Sequence, residues 1–391
     1  MKKLILAASI LAGFAGVAQA QSHVTIYGVM DIGLNYTMSN GGKNQVQMES
    51  GYAQGSRLGF KGREDLGGGL AAIFQLENGF SVDTGGLGQG GRMFGRQSLV
   101  GLTSASAGTV TLGRQYDSVV DFLGPRTANG NWAGYAFSHP LDNDNTDDSY
   151  RINNALKYTS INYSGFQFGG AYGFGEEAGD NRKNRTFSLG ASYDNGPLGL
   201  SVGYLQHDMP GSTAGGSVSK TDYNFLADKQ KVFGAGINYA LAATTLGFVY
   251  TNSNLTNPTA TSYYGGDNNL LPDAAIGGNT ALNTLKFNNY EISVKQQISP
   301  AFYVGAMYVY TQGKYDAAIG ESKLKWNTFG VMADYNLSKR TDVYAQAVYQ
   351  KVGGDTGSVG PNLGNGYIPG AGGVSDNQKQ ALLRVALRHA F

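Results

Sequence analysis

The chain has 391 residues, no cysteine, and 29 basic against 28 acidic side chains. A near-neutral total excludes the strongly basic surface of a nucleic-acid binder. Without cysteine there is no disulfide scaffold, so stability must come from burial and backbone hydrogen bonding.

The chain opens with Lys2 and Lys3, an apolar stretch from Leu4 to Val17, and the small–x–small triplet Ala18-Gln19-Ala20. This is the pattern of a secretory signal peptide cleaved after Ala20, with an apolar part too short to span a bilayer. The sequence therefore divides into a signal peptide, 1–20, and a single domain, 21–391. Removing Lys2 and Lys3 from the 29 basic residues leaves 27 against 28 acidic ones. No later window approaches ~18 consecutive apolar residues, so no transmembrane helix is expected.

From residue 23 onward the period is two. Phe187, Leu189, Ala191 and Tyr193 alternate with Ser188, Gly190 and Ser192; Leu198 to Tyr204, Phe233 to Tyr239 and Phe329 to Tyr335 repeat the pattern. Each segment thus has one apolar face and one small or polar face. Many segments end in an aromatic residue, usually Tyr, as a ring at a membrane–water boundary would. Glycine, at 59 residues, is about twice its usual ~7% share and sits inside these segments rather than in linkers.

Roughly sixteen segments follow from this rule: 23–37, 55–65, 69–80, 93–104, 108–116, 152–163, 166–175, 185–195, 197–207, 230–241, 243–253, 286–298, 300–312, 324–337, 340–352 and 379–391. Some are joined by short turn signals (Asp65-Leu66-Gly67-Gly68, Asn195-Gly196-Pro197, Ser338-Lys339), others by long polar stretches: 38–54, 117–151, 208–229, 254–285 and 353–378. Short turns at one end and long loops at the other predict an all-β, antiparallel transmembrane barrel. Hydrocarbon leaves unpaired sheet edges at several kcal/mol per group, so the sheet must close. Sixteen strands enclose an aqueous channel, whereas eight would be filled by side chains. A soluble β-sandwich array fits less well, because a water-facing sheet would not repeat an aromatic–aliphatic face on every strand.

Charge placement follows from parity. Leu58 and Phe60 share a face toward lipid, and Arg57, Lys61 and Arg63 share the opposite, lumenal face. Leu156 and Tyr158 face out, while Arg151, Asn153 and Lys157 carry the other parity. A charge on the lipid face near the midplane costs ~2–4 kcal/mol, so these cations belong inside. Arg96 and Arg114 lie near strand ends, with the parity of neighbouring apolar residues.

The third loop, about 117–150, is long enough to expect a function. Gly124-Pro125, Asn129-Gly130 and His139-Pro140 are turn signals, and Trp132, Tyr135 and Phe137 are suited to anchoring it against a wall. The expectation is a loop folded into the barrel that narrows the pore. Its acidic run Asp142, Asp144, Asp147 and Asp148 either faces basic side chains across the gap or is solvated extracellular loop, and the sequence favours the second. The final strand sets Leu383, Val385, Leu387, His389 and Phe391 on one face and Arg384, Ala386 and Arg388 on the other.

Val24-Thr25-Ile26-Tyr27-Gly28-Val29-Met30-Asp31, the stretch Ser56 to Leu70, Phe94-Gly95-Arg96-Gln97 and Thr111-Leu112-Gly113-Arg114-Gln115 resemble the general porins of β-proteobacteria, the neisserial and Burkholderiales type. The layout matches over the whole mature chain. The resemblance implies a homotrimer of sixteen-stranded barrels in the outer membrane, with the third loop inward. It also implies a lumenal arginine cluster at the constriction, carried here by Arg57, Arg96 and Arg151, with Glu77 facing it and Asp121 as a weaker match. Lys61, Arg63 and Lys157 would add to the basic lining. The terminal Phe391 resembles the signal read by the barrel-assembly machinery, and lipopolysaccharide would be a neighbour. The loop departs from the family's short Pro-Glu-Phe-Gly element, reading Gly124-Pro125-Arg126-Thr127.

The expected function is passive diffusion of small hydrophilic solutes and ions, with modest anion preference. A barrel enzyme would need an ordered nucleophile–base set, and His23, His139, His207 and His389 are scattered with no such pattern. No catalytic residue, cofactor or metal ligand is expected. An adhesin or structural barrel with a plugged lumen is the other alternative, and conductance separates it from a pore.

Overall fold

The computed structural model describes residues 23–264, 282–317, 320–356 and 363–391. The leader read at 1–20 lies outside them. The alternating segments form one antiparallel sheet that closes on itself: Val29 to Met38 of the first strand pair with Ala390 to Ala381 of the last. The sheet holds 17 segments, but two of them share one position, so 17 − 1 gives sixteen barrel strands.

The strands are numbered in chain order. β1 is His23–Asn40. β2 has an outer segment, Lys43–Ser50, and an inner one, Arg57–Gly67. Then come β3 (Leu70–Gly79), β4 (Gln97–Ser104), β5 (Gly108–Gln115), β6 (Ile152–Thr159), β7 (Phe166–Gly173), β8 (Arg185–Asn195), β9 (Leu198–Asp208) and β10 (Lys229–Leu241). β11 (Thr244–Thr256), β12 (Leu282–Ser299), β13 (Phe302–Ala317), β14 (Gly320–Asn336), β15 (Thr341–Gly354) and β16 (Lys379–Ala390) complete the ring.

One expectation is corrected. The stretch 38–54 is mostly strand: β1 runs to Asn40, turns at once, and pairs with Lys43–Ser50. Only two outward apolar residues, Val46 and Met48, mark that segment, and polar neighbours hide the period. β2 is then interrupted at 51–56, where the chain dips inward to a buried clamp. Asp31 accepts from the backbone N–H groups of Ala53 and Gln54, both at 2.9 Å, and from Tyr344 Oη at 2.6 Å. Arg384 pairs with Asp31 at 3.1 Å, and neither side chain is exposed. The Arg384 guanidinium also lies 4.2 Å over the Tyr52 ring. The clamp ties β1, β2, β15 and β16 together where the barrel closes.

The parity rule holds around the ring. Leu200, Val202, Leu246, Phe248, Phe329, Val331, Leu383 and Val385 are exposed on the outer face. Ser188, Gln230, Thr251, Asn289 and Gln346 are buried on the inner one. The short turns, such as 68–69, 196–197, 242–243 and 300–301, lie at one end. By the asymmetry of such barrels that end is periplasmic. The chain ends at the closure: Gly28 and Phe391 exchange backbone hydrogen bonds at 3.1 Å each. The Phe391 ring covers Gly28, where a side chain would overlap it.

Candidate functional site

The loop between β5 and β6 lies inside the barrel, and glycines on the lumenal face seat it. Successive short helical turns, Val119–Leu123, Gly124–Arg126, Asn129–Ala133, Tyr135–Phe137 and Pro140–Asp142, follow the wall. Phe122 lies on Gly190 of β8, Leu123 on Gly234 of β10, Trp132 on Gly305 of β13, and Phe137 on Gly330 of β14. A methyl group at any of these four positions would overlap the loop side chain above it. The small-residue face of the strands is thus a track into which the loop's apolar side chains sink. Trp132 and Phe137 also meet edge to face, 5.6 Å apart, and Tyr303 Oη donates to the Trp132 carbonyl at 3.1 Å.

A buried polar group fastens the loop's next turn. His139 has no exposed side-chain surface; its Nδ1 is 2.6 Å from Asp144 Oδ2 and its Nε2 is 3.2 Å from Glu291 Oε2 of β12. Glu291 also accepts from the Ala128 N–H at 2.7 Å. Burial alone would push the imidazole down, but the charges and hydrogen bonds of Asp144 and Glu291 outweigh it and raise His139 to about 10. Burial and the neighbouring Asp144 charge lift Asp142 to about 7.

With the loop held to the far wall, a cavity of about 530 Å³ remains beside the near wall, lined by Arg57, Arg96, Arg151, Asn129, Asp147 and Asp148 among others. The structure brings the three arginines together around it. Arg96 Nε pairs with Glu77 at 2.9 Å and its Nη2 with Asp148 at 3.4 Å. Arg151 Nη2 meets Asp148 at 2.7 Å. Tyr116 Oη accepts from Arg96 at 2.9 Å and from Arg151 at 3.5 Å. Tyr27 donates to Glu77 at 2.8 Å. Arg57 differs: its Nε donates to the Gly55 carbonyl at 2.9 Å, and among the described residues it forms no ion pair. Its two terminal nitrogens are free to meet a passing anion.

The local charge count favours anions. Three guanidinium groups face two paired carboxylates, Glu77 and Asp148. Burial, with the charges of Asp142 and Asp148, pushes the Asp147 carboxyl well above the ordinary range. A carboxyl held back from ionising in this way offsets less of the remaining positive charge.

Other expected residues go elsewhere. Asp121 is not at the arginine cluster; its carboxylate pairs with Lys157, whose Nζ also donates to the Tyr116 carbonyl at 3.2 Å. The helical turn at Val119–Leu123 aims Asp121 back at β6 instead of across the cavity. Lys61 stands over the Tyr27 ring at 5.3 Å. Arg63 is exposed at the short-turn end, opposite His23. Arg96 reaches the lumen because β4 begins only at Gln97, so strand parity does not apply to it. At Arg114 the alternation is broken by Gly113, at φ +127°, and by a bulge. Its Nη1 pairs with Asp222 at 2.6 Å, and its Nε donates to the Gly95 carbonyl at 2.7 Å.

The acidic run is not solvated loop. Asp142 and Asp144 are buried, and Asp148 bridges two arginines. Arg388 also lines the cavity and pairs with Asp334 and Asp342 at 3.2 and 3.0 Å. The near-terminal parity of β16 was the signal for it.

The family model for Gram-negative porins matches residues 7–355. An outer membrane porin protein of Bordetella pertussis is 33% identical over 384 residues, covering 90% of this chain and 94% of that one. Outer membrane porin protein 32 of Delftia acidovorans is 30% identical over 406 residues, covering 100% of both chains. Among solved structures, the anion-selective porin from Comamonas acidovorans superposes with a TM-score of 0.68 at 25% identity, covering 95% of this chain and 100% of that one.

Proposed function

Since the chain belongs to the Gram-negative porin family and forms an outer-membrane channel for passive diffusion of small hydrophilic solutes and ions, we propose that the channel favours anions and that Arg57, Arg96 and Arg151 set this preference. Members of the family are channels rather than enzymes, so transport needs positioned charge and no chemical step. What carries the reading is Arg57, a lumenal guanidinium with no carboxylate partner among the described residues, beside two arginines that share two carboxylates. Fixed cations in a narrow passage with low-dielectric walls concentrate anions there and raise the barrier for cations.

A unit charge 4 Å from a passing ion is worth about 1 kcal/mol in water. The same charge acts with opposite sign on chloride and potassium, so Arg57→Gln is expected to lower the chloride-to-potassium permeability ratio by up to about thirtyfold, read as the zero-current potential across a planar bilayer. An unchanged ratio would remove Arg57 from the account. The working unit is a homotrimer set among outer-membrane lipids and lipopolysaccharide. The strand ending at Phe391 is its handle for the barrel-assembly machinery. The resemblance to trimeric porins and the seat of Phe391 at the closure support this; crosslinking of the native protein in outer-membrane vesicles would test the trimer.

A further inference from the structure

Beneath the third loop, on the periplasmic side, lies a second and smaller nook of about 130 Å³, apart from the arginine cluster. Its floor is Gly247 of β11, four residues above the turn at 242–243. Asn238 of β10 and Ser293 of β12 lie opposite Gly247 in the register. One rung lower, Thr245 is opposite Lys295. Arg126 and Trp132 of the loop form the roof. The space exists because residue 247 has no side chain: a Cβ there would lie 2.5 Å from Ser293 Oγ and 3.1 Å from the Asn238 side-chain oxygen.

The groups around the nook are donors with little to donate to. Among the described residues, Lys295 forms no ion pair; its ammonium rests 4.2 Å over the Tyr303 ring. The Ser293 and Thr245 hydroxyls have no protein partner there either. Arg126 is held in place by Ser201 at 2.9 Å and Asp194 at 2.7 Å. The Arg126 guanidinium is thereby drawn over Gly199 of β9, and only its carbonyl approaches Gly247. Lys295 is then the cation at the nook, beside two hydroxyl donors; Asp334, which also acts on Lys295, is paired with Arg388. The Asn238 amide, turned to donate, would reach the Arg126 carbonyl at 3.1 Å and fix the roof rather than the guest.

We propose that this nook binds a small inorganic oxyanion of phosphate size. Lys295 supplies the charge, and Ser293 and Thr245 supply neutral hydrogen bonds. An anion leaving the arginine cluster toward the periplasm then meets a second resting site before the exit, and the same site captures oxyanions entering from the periplasmic side. The proposal rests on the channel reading.

The test is chloride current through wild-type channels inserted in one orientation in a planar bilayer, with inorganic phosphate titrated into the chamber facing the short turns. Wild type is expected to show a saturable reduction of current with a defined half-effect concentration. Lys295→Gln should raise that concentration at least about tenfold, the share of one charge-assisted hydrogen bond. Gly247→Ala, which crowds the floor of the nook against Ser293 without changing any charge, should raise it as well. Equal half-effect concentrations in wild type and both variants would overturn the proposal, as would a reduction that never saturates. Absence of any chloride current would instead overturn the channel reading beneath it.

Discussion

Gly305→Ala puts one methyl group under the loop's largest anchor. A Cβ at residue 305 would lie 2.5 Å from Trp132 Cζ3 and 2.6 Å from Cη2. Carbon atoms in contact sit ~3.5–4.0 Å apart, so the indole must retreat by about 1 Å. It cannot do so alone: its ring meets Phe137 edge to face at 5.6 Å, and its carbonyl is held by Tyr303 at 3.1 Å. Overpacking of this kind costs about 1–3 kcal/mol, which shifts the balance between seated and lifted loop by about 5- to 150-fold. The barrel wall itself is untouched, because the small face at this position points into the lumen. The assay is single-channel recording at fixed voltage. Brief closures should become more frequent by about that factor, and sustained closure should set in at lower voltage. Trp132→Ala loosens the loop on its own account, so the decisive comparison is a double-mutant cycle. If Gly305→Ala has the same effect with and without Trp132, the seating of the indole on Gly305 is refuted.

Loop anchoring should also depend on pH. His139 is raised to about 10, above its unfolded value of 6.5; its contribution is complete below about pH 6.5 and is lost as pH rises through 10. Asp142, raised to about 7 by burial, costs the folded state more as it ionises between pH 4 and 7. Both effects run the same way, so closures should be rarest at about pH 4 and increase steadily toward pH 9, and His139→Gln should flatten the upper part of that curve. A profile with the opposite slope would contradict the assignment. Arg384→Met would leave Asp31 buried without its cation, a loss of about 3–5 kcal/mol. The temperature at which the folded barrel loses its compact gel mobility should fall clearly, and an unchanged transition would show the clamp at the closure to be unimportant.

The architecture was legible because strand parity is a local property. Phe329 to Tyr335 reveal their two faces within seven residues, and the outer row of exposed apolar side chains follows. Where a second process disturbs the period, the reading fails. Gly113 and the adjoining bulge break the alternation, so the side chain of Arg114 could not be assigned from its neighbours. Lys43–Ser50 carries too few apolar residues to stand out as a strand. The arginine cluster was named through family resemblance, while Asp148 was visible only as part of an acidic run. Its role depends on a loop that turns back on itself to set it between Arg96 and Arg151.

The loop's seat was present in the sequence as mid-strand glycines on the small face. That Gly190, Gly234, Gly305 and Gly330 underlie one loop requires the register of the whole ring. The clamp between Asp31 and Arg384 is equally remote, since it exists only once the last strand meets the first.

The most direct test of the account is the zero-current potential of the wild-type protein in a planar bilayer separating concentrated from dilute potassium chloride. Three arginines against two paired carboxylates predict a potential of the sign set by chloride moving faster than potassium, shrinking as the bulk salt screens the lumen. A potential of the opposite sign, or bilayers that carry no current at all, would contradict it.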